Sequence, residues 1–189
     1  MDDYKDFFTL IELLIVVGRI GILSAVTVVV IQPNEMINRA RDGKRVTDLK
    51  SINDALRLYQ VGTSTSLGSA STTYISIPDT SSICSGLTLP SQPPGWQYHC
   101  VTGANLRDID GNSWVPVSLS SIASGPPFPR LPIDPTNSDS QGYYYTYVVG
   151  SWELTAALQA QRRDTAQKDG RTLSSAFEIG TDLSLTPNR

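Results

Sequence analysis

The chain has 189 residues, enough for one ordinary domain with an appendage but not for two full domains. Charged residues make up only 17%, while Gly, Pro, Ser and Thr are abundant, which suits a loop-rich exported domain better than a cytosolic helical enzyme. A formal net charge of −3 leaves no global basic field to draw in nucleic acid and argues against a general nucleic-acid-binding role.

The first element is apolar. Residues 7–31 are broken only by Thr9, Glu12, Gly18, Arg19, Gly21, Ser24 and Thr27. As a helix these residues run roughly 37 Å at ~1.5 Å per residue, against a bilayer hydrocarbon core of about 30 Å, so the segment is long enough to span. The competing reading is a secretory signal, whose apolar part is shorter and ends at a small-residue cleavage site. Here Ser24-Ala25-Val26 runs on into further apolar residues, which favours a retained membrane helix.

After Pro33 the pattern becomes amphipathic. Val46, Leu49, Ile52, Leu56 and Tyr59 recur at three- and four-residue steps on one face. Arg39, Arg41, Asp42, Lys44, Arg45, Asp48, Lys50, Asp54 and Arg57 are assigned to the wet side. Pro33 removes a backbone donor and Gly43 weakens the helix locally, but neither has to end it. One long helix over 8–60 is therefore expected, with 8–31 as its membrane-spanning half and a head over 61–189.

In the head, a short strand is expected over 73–77 and an edge strand over 114–117, where Pro116 is tolerated. Residues 143–149 are aromatic and β-branched, Gly150-Ser151 fits a two-residue turn, and 152–158 follows, which reads as a hairpin. Residues 159–172 are polar, and a last strand is expected over 175–179. The fold class is α+β: a long N-terminal helix, half apolar and half amphipathic, packed on an antiparallel sheet.

Glu12 requires an explanation, because a carboxylate inside an apolar helix costs a few kcal/mol and marks a function or a partner. Its context is Phe8-Thr9-Leu10-Ile11-Glu12-Leu13-Leu14-Ile15-Val16-Val17, then Gly21-Ile22-Leu23-Ser24-Ala25-Val26. This stretch resembles the N-terminus of the type IV pilin and type II secretion pseudopilin superfamily. The similarity extends more loosely to the arginine-rich helix around residues 40–49 and to Asp134-Pro135 before Tyr-rich strands.

The resemblance implies a non-enzymatic filament subunit. Residues 1–7 correspond to a leader that a prepilin peptidase removes before Phe8, whose new amine is then methylated. Glu12 assists assembly by pairing with a neighbour's N-terminal amine. The helices leave the inner membrane through the pilus assembly machinery and pack on one another as the core of an extracellular homopolymer. Nucleic acid enters only as a ligand of the finished filament. The alternatives are a type II secretion pseudopilin and a membrane-anchored extracellular binding module that never polymerises.

Three features depart from the family. Phe7 stands where a glycine precedes the cleavage point, the leader carries Asp2, Asp3 and Asp6 against Lys5, and Arg19 replaces an apolar residue. Arg39, Arg41, Lys44 and Arg45 near the helix end favour an inside head by charge count, whereas composition, the cysteine pair and the resemblance favour an outside one, which is the expectation adopted.

In an oxidising compartment Cys84 and Cys100 are expected to pair, closing a loop of roughly 15 residues; neither a CxxC nor a ligand cluster supports zinc. Asp134, Asn137 and Asp139 correspond to the calcium loop of related pseudopilins, making calcium the one candidate cofactor. Asp108, Asp110 and Asn112 echo an oxygen-ligand loop without EF-hand spacing, and Asx residues in turns more often bond their own backbone. Tyr143, Tyr144, Tyr145, Tyr147 and Trp152 read as cross-strand core before an adhesive or base-stacking surface. His99 has no nucleophile or acidic partner pattern around it.

Overall fold

The computed structural model describes residues 8–31, 33–62, 66–160 and 176–185. The leader-like segment 1–7, including Phe7, and most of the polar stretch 159–172 lie outside the described residues. The chain divides into two compact units, Met1–Arg39 and Ala40–Arg189.

Helix α1 spans Leu10–Ile31. Thr9 caps it: its hydroxyl accepts a hydrogen bond from the backbone N–H of Glu12 at 3.3 Å. Thr9 and Glu12 thus stand at the N-cap and N3 positions of a Thr-x-x-Glu capping-box sequence. Helix α2 spans Pro33–Gly62. The two stretches cover the region of the expected helix, with Gln32 between them outside the described residues.

The head holds a five-stranded sheet of order β2-β1-β3-β4-β5, with β1 at Thr72–Ile75, β2 at Gln97–His99, β3 at Tyr145–Val148, β4 at Glu153–Ala157 and β5 at Ala176–Gly180. All pairs are antiparallel except β1 with β2. The hairpin forms as expected, but Val148 pairs with Glu153, so the turn holds residues 149–152 rather than Gly150-Ser151 alone. This takes Trp152 out of the ladder and lets it bury completely. The expected edge strand at 114–117 does not form; the segment bends, and Trp114, Val115 and Val117 still bury fully. Gly180 is required where β5 meets that turn, because an added Cβ would lie 2.1 Å from the Trp152 carbonyl oxygen.

Leu49, Ile52, Ala55, Leu56 and Tyr59 of α2 share one core with Tyr74, Trp114, Tyr145, Tyr147, Trp152 and Leu154. Their spacing is the one read from the sequence, and it is this face of α2 that is buried. A second cluster on the head gathers Ile75, Ile77 and Tyr144 around a Cys84–Cys100 disulfide.

Candidate assembly surface and the polar clamp of the head

Helix α1 carries apolar side chains all round and buries none of those described: Leu10, Leu14 and Leu23 are 84%, 67% and 66% exposed. A surface helix of a soluble domain shows an apolar stripe on one side only. Leu10–Thr27 is long and apolar enough to cross a membrane. Phe8 is exposed just before α1. Gly18 and Gly21 have open space where a Cβ would stand, so the helix surface there lies bare to close approach.

Glu12 and Arg19 are the charged residues of this span, and both are exposed. Glu12 sits in the first turn, where the positive end of the helix dipole favours a carboxylate. Among the described residues neither side chain has an ion-pair partner. Capping explains why a carboxylate is tolerated at this end; it does not explain Arg19.

The head has a polar feature that sequence reasoning missed. Arg45 is fully buried, and its Nε and Nη2 donate to the two carboxylate oxygens of Asp134 at 2.6 and 2.8 Å. Its Nη1 donates to Asp42 at 2.7 Å, and its guanidinium lies 4.9 Å from the centroid of the Tyr143 ring. Burial works against the Arg45 charge, but Asp134 and then Asp42 outweigh it, and its pKa is raised. Asp42 also accepts the backbone N–H groups of Gln159 and Ala160, at distances between 2.8 and 3.1 Å. One turn further on, Asp48 accepts the Tyr145 hydroxyl at 3.0 Å, and Asn53 accepts the Trp152 indole N–H at 3.0 Å. Burial first and Asp48 second push the Tyr145 hydroxyl far above its ordinary range.

Arg45 and Asp48, assigned above to the wet side, thus belong to the buried stripe of α2. The available signal was position: Arg45 stands four residues before Leu49, in line with Ile52 and Leu56. What the sequence lacked was the identity of the partner, 89 residues away.

No family model, curated protein or solved structure matches this chain.

The remaining expected site residues are engaged in local bonds. Asp134 spends both oxygens on Arg45, and also accepts the backbone N–H groups of Thr136 and Asn137. Asn137 Oδ1 accepts the Ser76 hydroxyl at 3.3 Å, and Asp139 Oδ2 accepts the Thr88 N–H at 3.0 Å. That last bond, first among its causes, holds the Asp139 carboxyl below its usual range. The positive charge facing Asp134 is thus supplied by the Arg45 guanidinium. Among the described residues no group of three His, Cys, Asp or Glu side chains forms a metal cluster. Asp110 binds the backbone and side chain of Asn112 two residues on, as an Asx turn does. Tyr144, Tyr145, Tyr147 and Trp152 are buried, and Tyr143 is half-buried against Arg45, so these rings are committed to packing. His99 packs edge-on to Tyr74, with ring centroids 5.0 Å apart.

Proposed function

We propose that the chain is a pilin-type structural subunit, held in the membrane by α1 and then polymerised through α1 into an extracellular filament displaying the head. The observation that carries this reading is α1 itself: a capped, membrane-length helix with a bare apolar surface on every side. Lipid covers such a surface before assembly, and neighbouring copies cover it afterwards. The likeness of residues 8–26 to the pilin and pseudopilin superfamily, the disulfide and the Ser/Thr-rich loops support an outside head. The basic cluster that argued for an inside head counts for less, since Arg45 is buried against two carboxylates.

Mass spectrometry of the N-terminus of protein isolated from its native membrane tests the reading. A chain beginning at a methylated Phe8 is the expected result. A chain that begins at Met1 and never assembles favours the anchored binding module, for which Phe7 in place of glycine is the motivating observation. Short periplasmic assemblies without surface fibres favour the pseudopilin.

A further inference from the structure

The two charges of α1 stand seven residues apart. Seven residues advance about 10.5 Å along a helix and return to within ~20° of the same direction, so Glu12 and Arg19 lie on one stripe, two turns apart. Side chains pair along a single helix at three- and four-residue spacing, not at seven. Within its own helix, then, neither charge meets the other at contact spacing, and both project from an apolar cylinder.

Copies inserted with one topology lie parallel. Two parallel copies at the same height place Glu12 beside Glu12 and Arg19 beside Arg19, which is repulsive in both places. Sliding one copy by seven residues brings Arg19 level with Glu12 of its neighbour. We infer that Arg19 of each copy pairs with Glu12 of the next, in place of the N-terminal amine that the pilin resemblance assigns to Glu12, fixing the axial stagger of packed α1 helices at about two turns. A second copy of this chain is the occupant to which the charge complementarity commits the bare surface. Such a contact uses different residues on its two sides, so it does not close on a dimer. Each copy keeps a free Glu12 in one direction and a free Arg19 in the other, and the arrangement propagates. Two charges that are each costly in lipid are tolerated because assembly joins them. The inference rests on the filament reading above and adds the partner of Arg19.

The test compares fibres sheared from cells expressing the full-length wild-type chain, Glu12→Arg, Arg19→Glu and the double reversal, with membrane levels of each chain measured alongside. Each single reversal should abolish fibres, and the double reversal should restore them. Co-expression of the two single-reversal chains should also yield fibres, containing both. Glu12→Gln keeps the capping-box residue type but removes the charge, and should still lower fibre yield. Arg19→Leu, which eases membrane insertion, covers the case in which reversed chains fail to accumulate; fibre yield should drop at least about tenfold at an undiminished membrane level. Undiminished fibres from Arg19→Leu overturn the pairing, as does a double reversal that reaches wild-type membrane levels and makes none. A wild-type chain without fibres overturns the filament reading itself, and the pairing with it.

Discussion

Helix α1 and the second half of α2 make opposite use of apolar surface. From residue 40 onward α2 buries Leu49, Ile52, Ala55 and Leu56 completely, against the sheet of its own chain. Helix α1 is more apolar than α2 and buries none of its described side chains. A helix that finds its partner inside the chain needs one apolar stripe, and it can afford charges on that stripe if each is matched, as Arg45 is by Asp134 and Asp42. On the reading proposed above, α1 needs apolar surface wherever lipid or another copy will touch it.

The largest effect expected from breaking this contrast lies in the clamp. Asp134→Ala leaves the buried Arg45 with Asp42 as its one remaining carboxylate partner and should lower head stability by about 3–5 kcal/mol, the range for removing one partner of a buried pair. Denaturant unfolding in detergent, followed by tryptophan fluorescence, measures it. Next comes packing. Leu56→Ala should cost about 2–5 kcal/mol in the same assay, whereas Leu14→Ala on α1 should leave head unfolding within about 0.5 kcal/mol of wild type. A comparable loss from Leu14→Ala would end the contrast. Replacing Cys84 and Cys100 by serine should cost about 3 kcal/mol for a loop of this size, with no effect on membrane insertion of α1.

The smallest effect is the response to pH. Burial holds the His99 imidazole below its ordinary value of 6.5. As pH falls from above 6.5 toward that depressed value, the unfolded chain takes up its proton first and stability drops; above this window His99 contributes no pH dependence. His99→Gln should remove that step. A second step includes Asp79 and Asp139, held below 3.8 chiefly by the backbone N–H groups of Gly86 and Thr88 respectively. Their contribution is complete above about 3.8 and is lost as pH falls through the lowered values. Melting temperature recorded across pH separates the two steps.

Sequence alone made α1 legible, because a long apolar run needs no knowledge of its partner. It also made the β3–β4 hairpin legible, since aromatic and β-branched runs flank a turn. The clamp was not legible. Arg45 and Asp48 carry charges that ordinarily mark a solvated face, and the groups that make their burial tolerable, Asp134 and Tyr145, arrive from about 90 residues downstream. Strand β2 was missed for a related reason: three residues in a polar stretch pair in parallel with β1, and no local pattern announces a parallel partner. Residues 114–117 looked like a strand because their side chains are core residues. They bury without a ladder, and Pro116 has no N–H to give one. At the candidate calcium loop, residue types alone suggested oxygen ligands, while the guanidinium that claims Asp134 comes from α2.

The most direct test of the account is electron microscopy of material sheared from cells expressing the chain, using an antibody against the head. Thin fibres labelled along their whole length are expected, with fibre formation dependent on an intact α1. A head found only in the membrane fraction, monomeric in detergent and without fibres at any expression level, would contradict it.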